Sequence, residues 1–234
     1  MKRKITSLLF LFGVLVNTAI AVLPTPLITS PADGSSGNPA NTIIIWYNVT
    51  GATSYEFKIN TDPALTGAIV QSSISSQYAT SQLLFGTTYY WQVRALKTTG
   101  TPDSSSWTAI FSFITANTLS LTAPANGSIN QFPKTYLNWG NGAGITNYQV
   151  QWDETNSFSS PVLVDTLLPD STSDVYATGL KFGTVYYWRA RAMHALDTMQ
   201  WTTTYSFTTL DSVVLNDPLN GSSFLSTSEP SLIA

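Results

Sequence analysis

Leu83-Leu84-Phe85-Gly86-Thr87-Thr88-Tyr89-Tyr90-Trp91-Gln92-Val93-Arg94-Ala95 returns as Leu180-Lys181-Phe182-Gly183-Thr184-Val185-Tyr186-Tyr187-Trp188-Arg189-Ala190-Arg191-Ala192, an offset of 97 residues. In the first copy Tyr89, Trp91, Val93 and Ala95 share one parity, and Tyr90, Gln92 and Arg94 share the other. That alternation is the period of a strand with one wet face, so the first set is expected in a core. Tyr55-Glu56-Phe57-Lys58-Ile59-Asn60 and Tyr148-Gln149-Val150-Gln151-Trp152-Asp153 alternate in the same way.

Outward from these strands, a larger repeat appears. Pro31-Ala32-Asp33-Gly34 recurs as Pro124-Ala125-Asn126-Gly127 and as Pro218-Leu219-Asn220-Gly221, at offsets of 93 and 94 residues. Trp46 matches Trp139, Tyr55 matches Tyr148, Trp107 matches Trp201 and Phe113 matches Phe207. A period near 100 residues is long enough to close a sandwich round its own core, whereas solenoid repeats run about 20 to 50. Turn-forming residues cluster at Asp33 to Asn38, Thr99 to Ser106 and Asp170 to Asp174, and no stretch holds helical spacing. The fold class expected is all-β, two tandem immunoglobulin-like β-sandwiches with a truncated third repeat.

The two copies resemble the corner and sixth strand of a fibronectin type III domain, and the likeness covers about residues 27 to 210. It implies that Trp46 and Trp139 are the core tryptophans of the second strand, joined in the core by Tyr89, Trp91, Tyr186 and Trp188. Phe85 and Phe182 stand where that family usually has proline, while Gly86 and Gly183 supply the bend. Beside the resemblance there is a physical reason for the pattern: a tyrosine at Tyr89 or Tyr186 can fill the sandwich end and reach back to a backbone group.

The division expected is a signal peptide over 1–21, a linker over 22–26, fibronectin type III-like domains over 27–116 and 117–210, and an incomplete third repeat over 211–234. In both full units the strand tryptophan lies 15 residues after the landmark proline, which puts its third counterpart at Ile233, one residue before the last. Two strands are marginal alone. A mobile or weakly docked tail is expected there, and with it a chain that is one piece of a longer modular protein.

Lys2, Arg3 and Lys4 precede an apolar run from Leu8 to Val16 and then Ala19-Ile20-Ala21, the order of an export signal cleaved after Ala21. The run is too short to span a bilayer. Cleavage leaves seven basic against thirteen acidic residues, a net charge of −6. No membrane span is expected after cleavage, and the acidic balance excludes nucleic acid as a partner. Zero cysteine excludes disulfide scaffolds, thiol nucleophiles and cysteine metal sites, and in an exported chain it points to a secreted or cell-surface bacterial product.

Charged residues are only 10% of the chain, well below the roughly 25% of ordinary soluble domains, which rules out coiled coils and charge-driven disorder. No phosphate-loop, dinucleotide or zincin motif occurs, so no enzyme activity, cofactor or metal is expected. His194, the one histidine, is expected in a solvated loop, and Asp165, Asp170 and Asp174 as solvated loop charges. One candidate binding face remains. Tyr90 and Arg94 in the first unit, and Tyr187, Arg189 and Arg191 in the second, should point outward, where aromatic and guanidinium groups could grip a sugar or a partner loop. The competing expectation is a cross-strand ladder with Glu56, Lys58, Gln149, Gln151 and Asp153, and it is the stronger of the two. Expected partners are other extracellular proteins or glycans, or further domains of the same chain. The functions in view are a noncatalytic spacer or adhesion array, an accessory segment of a larger secreted hydrolase, or an independent glycan-binding module.

Overall fold

The structure is a computed structural model and describes residues 23–100 and 103–212. The expected signal peptide and nearly all of the third repeat lie outside the described residues. Alternating sequence becomes strand throughout. The first unit contains β1 (Ile28–Ser30), β2 (Ser35–Asn38), β3 (Ile43–Trp46), β4 (Ser54–Asn60), β5 (Val70–Ser73), β6 (Gln77–Ala79), β7 (Thr88–Lys97), β8 (Asp103–Ser104) and β9 (Phe111–Thr115). The second contains β10 (Leu121–Ala123), β11 (Ser128–Gln131), β12 (Thr135–Trp139), β13 (Asn147–Asp153), β14 (Val164–Pro169), β15 (Asp174–Ala177), β16 (Val185–His194), β17 (Asp197–Thr198) and β18 (Tyr205–Thr209).

Each unit has a sheet of three strands, β1-β3-β6 or β10-β12-β15, facing a larger one. The larger sheets run β2-β9-β7-β4-β5 and β11-β18-β16-β13-β14, with the short β8 and β17 pairing β7 and β16. The fold is therefore two tandem immunoglobulin-like, fibronectin type III-like sandwiches. The repeated Pro-Ala-Asp/Asn-Gly landmark is where the chain leaves one sheet for the other. Gly34 and Gly127 take φ of 70° and 76°, and their N–H groups donate to the Ser112 and Ser206 carbonyls at 2.8 and 2.7 Å. Asp33 and Asn126 in turn accept from the Ser112 and Ser206 N–H groups at 2.7 and 2.9 Å.

This changes one expectation from sequence. Ser35–Asn38 reads as turn because it is small and polar, yet it forms β2, an edge strand parallel to β9. An edge strand needs backbone pairing and no apolar face, so composition hides it.

Trp46, Trp91, Phe57 and Phe113 are fully buried between the sheets of the first unit, and Trp139, Trp188, Tyr148 and Phe207 between those of the second. Tyr89 and Tyr186 are buried at the sandwich ends. Their hydroxyls accept the Leu84 and Lys181 N–H groups, each at 3.0 Å. A second tyrosine in each unit does the same work, because the Val49 N–H donates to Tyr55 Oη at 2.9 Å and the Gly142 N–H to Tyr148 Oη at 3.1 Å. The indole Nε1 atoms of Trp46, Trp91, Trp139 and Trp188 are buried without a hydrogen-bond partner. These side chains therefore serve the core through volume rather than through polar pairing.

Residues 23–26 of the expected linker are not plain linker. Leu23 and Pro26 are buried, and Leu23 belongs to the first unit's core. The second core is not wholly self-contained either, since Ala40 and Phe85 of the first unit are part of it.

Candidate functional site

The pairing of β4 with β7 sets Glu56 opposite Arg94, Lys58 opposite Gln92 and Asn60 opposite Tyr90. Arg94 donates from Nε to Glu56 Oε2 at 2.8 Å and approaches the same oxygen through Nη2 at 2.6 Å. Its guanidinium lies 4.7 Å from the centre of the Trp107 ring, and the Lys58 ammonium 4.8 Å from the same ring. In the second unit β13 sets Gln149 opposite Arg191, Gln151 opposite Arg189 and Asp153 opposite Tyr187. Arg189 and Arg191 donate from Nε to Gln151 and Gln149 at 2.9 and 2.8 Å. Those glutamines pass the chain on, donating to the two oxygens of Asp165 at 2.7 and 2.8 Å.

Trp201 is covered by both guanidinium groups, at 4.5 and 4.4 Å, and Arg189 also lies 4.0 Å from the Phe158 ring centre. Burial holds Arg189 below the ordinary guanidinium value, repulsion from Arg191 adds to this, and Asp165 opposes it. Tyr90 and Tyr187 are half-buried at the far end of the same strands. The arginines of both faces are thus already paired within the chain. The ring faces of Trp107 and Trp201 are occupied by cations. Trp107 and Trp201 complete the ladder. The repeat marked them, but only the folded chain shows that they lie against the arginines.

Asp165 is not a loop charge, for it sits on β14 as the terminus of this ladder. Asp153 is the larger surprise. It is fully buried at the end of β13 and accepts from the Glu154 and Ser160 N–H groups at 2.7 and 3.0 Å, the Thr155 hydroxyl at 3.1 Å and the Ser160 hydroxyl. Burial alone pushes this carboxyl up, but the donors from Ser160, Thr155 and Glu154 together outweigh it and hold Asp153 below its usual value. The carboxylate ties down the loop after β13.

The most specific constellation joins the two units. His194, expected in a solvated loop, is 5% exposed at the end of β16. It continues the inward parity of Tyr186, Trp188, Ala190 and Ala192, and it meets the neighbouring unit instead of water. Its ring centre is 4.4 Å from that of Phe85, inclined at 51°. Nδ1 accepts the Leu196 N–H at 3.2 Å, so Nε2 carries the proton and donates to the Leu83 carbonyl at 3.0 Å. Beside it Asp197 Oδ2 accepts the Phe85 N–H at 2.8 Å, and the Gln200 N–H donates to the Asn117 carbonyl at 3.1 Å. Phe85 is 7% exposed as a result.

Next to Phe85 the junction leaves a groove of about 230 Å³, lined by Pro39, Ala40, Leu119, Gly142 and Ile145 among others. Gly144 takes a φ of 83° and faces Ala40 and Asn41, where a Cβ would come within 3.1 Å of the Asn41 nitrogen. Close approach of the two backbones needs glycine there. Among the described residues, no group of three or more His, Asp or Glu side chains is arranged to hold a metal ion, and no helix is long and apolar enough to cross a membrane. The arrangement can fix one sandwich against the next.

No protein-family model matches the chain, and no curated protein matches it. Among solved structures it is similar to the crystal structure of chicken CNTN1 FN1-FN3 domains, at 13% identity and a TM-score of 0.33, with 81% of this chain and 66% of that one covered.

Proposed function

We propose that the protein is an exported, noncatalytic array of fibronectin type III-like units that holds other domains or binding surfaces at a set distance outside a bacterial cell. The Phe85–His194–Asp197 junction carries this reading. It combines an aromatic contact, two hydrogen bonds and a connector of only residues 116–120, so the units are coupled stiffly instead of swinging freely. The single histidine of the chain is committed to that contact, which supports a noncatalytic role. The basic-apolar-small order of residues 1–21 supports export, and the absence of cysteine a bacterial surface.

Small-angle scattering on the purified chain, with N-terminal sequencing of the exported form, tests the reading. A narrow distribution of shapes and a mature terminus at Val22 are expected. A broad distribution typical of freely jointed domains would sink the spacer role, and adhesion through flexible multivalency would become the better account.

A further inference from the structure

We propose that the end of the second unit formed by Leu180, Lys181 and Phe182 is a docking surface for a third unit of the same kind, the one opened by Pro218-Leu219-Asn220-Gly221. This rests on the modular reading above and extends it to a specific surface.

At the equivalent end of the first unit Phe85 is the knob, its N–H held by Asp197, and the Leu83 carbonyl held by His194. Phe182 is its counterpart and presents the same local geometry. Gly86 and Gly183 take φ of 58° and 56°, and their N–H groups donate to the Ala116 and Leu210 carbonyls at 3.1 and 2.9 Å. Thr115 and Thr209 donate from their hydroxyls to the Leu84 and Lys181 carbonyls, both at 2.6 Å. The knob is therefore rigid before anything binds it.

What differs is its company. Phe182 is 48% exposed where Phe85 is 7%. Among the described residues nothing hydrogen-bonds the Phe182 N–H or the Leu180 carbonyl, the two groups that Asp197 and His194 serve in the first junction. An occupant must bring an apolar wall for the ring, a carboxylate for the N–H and a donor for the carbonyl.

A second copy of the chain is a poor occupant because its seat is already taken. In the first unit Asp103 stands where Asp197 stands in the second, and its Oδ2 accepts the Leu23 N–H at 3.0 Å. Leu23 also lies 3.5 Å from where a Cβ on Gly51 would sit, and Gly51 is the counterpart of Gly144. Leu23 thus fills, from its own chain, the space that the first unit's end fills in the second. Among the described residues the second unit's knob is exposed while the first unit's seat is filled, which gives the array a direction, from the first unit towards the third.

The test extends the chain after Leu210 with a second copy of residues 117–210, which carries a complete receiving surface, and compares it with the 234-residue chain by amide hydrogen exchange. Exchange of the Phe182 amide should slow by about tenfold or more. Asp197→Ala in the appended copy alone should restore fast exchange, and Phe182→Ala should broaden the distribution of shapes in scattering. If the appended copy shows its own cooperative unfolding while the Phe182 amide exchanges at the same rate in both chains, the docking surface is refuted and the modular reading stands. If the appended copy does not fold at all, the modular reading fails and takes this proposal with it.

Discussion

The Phe85 and His194 rings lie 4.4 Å apart across the boundary between the two sandwiches, and the Phe85 N–H reaches Asp197 at 2.8 Å. A side chain of the first unit is thereby part of the second unit's core. Phe85→Ala should cost the second unit about 3 to 4 kcal/mol, in the range of large-to-small core changes. Phe182→Ala, at the equivalent but exposed position, should cost under about 1 kcal/mol. Thermal unfolding of both variants, followed by tryptophan fluorescence, checks the contrast.

His194→Ala leaves the Leu83 carbonyl and the Leu196 N–H without partners and removes the ring that packs against Phe85. A loss of about 2 kcal/mol is expected. His194→Gln, which can restore a donor to the Leu83 carbonyl, should recover part of it. Denaturant titrations on the two variants separate the hydrogen bond from the ring contact.

Tyr89→Phe removes the oxygen that accepts the Leu84 N–H, and Tyr186→Phe removes the one that accepts the Lys181 N–H and donates to Glu154 Oε1 at 3.2 Å. These N–H groups are partly reached by water, so each change should cost about 1 kcal/mol. Equal losses are expected for Tyr55→Phe and Tyr148→Phe. Urea midpoints at constant slope report the effect.

Asp153 is held below its usual carboxyl value, chiefly by donors from Ser160, Thr155 and Glu154 that overcome its burial. The fold therefore favours its ionised form. That stabilisation is complete above the unfolded value of about 3.9 and is lost as the pH falls from there through the lower value of the folded chain. Asp153→Asn should be less stable than the parent at pH 7, and the gap should shrink as the pH is taken from about 5 towards 2. Unfolding curves across that range check the sign.

Trp46→Ala and Trp139→Ala should cost about 3 to 5 kcal/mol each and unfold the unit that carries them. Because the indole N–H groups are unpaired, the corresponding Phe variants lose volume but no hydrogen bond, and should cost clearly less. Differential scanning calorimetry resolves which unit melts.

Much of this molecule can be read from alternation and recurrence. The inward parity of Tyr89 to Ala95 places the core face of β7, and the paired tryptophans locate the sandwich interiors. Those signals are local, and a strand with one wet face must carry them whatever surrounds it. The junction is different. His194 and Phe85 are 109 positions apart, and neither looks unusual among its neighbours until the two units are set end to end. Extending the parity of β16 by one more step would have turned His194 inward, but only the adjoining unit explains why that position excludes water. Asp153 ends a strand as an ordinary polar residue, and its burial depends on how the next seven residues fold back over it. Leu23 looks like linker for the same reason. What it covers is assembled by Gly51 and Asp103, far along the sequence.

The parallel pairing of β2 with β9, and of β11 with β18, has a mechanical consequence. The incoming and outgoing strands of each sandwich lie side by side and point the same way, tied by Ala116 N–H to the Asn38 carbonyl at 2.8 Å and by Leu210 N–H to the Gln131 carbonyl at 2.9 Å. Tension applied along the polypeptide pulls these neighbours past each other lengthwise, so the bonds across them bear the load together instead of opening one after another like a zip.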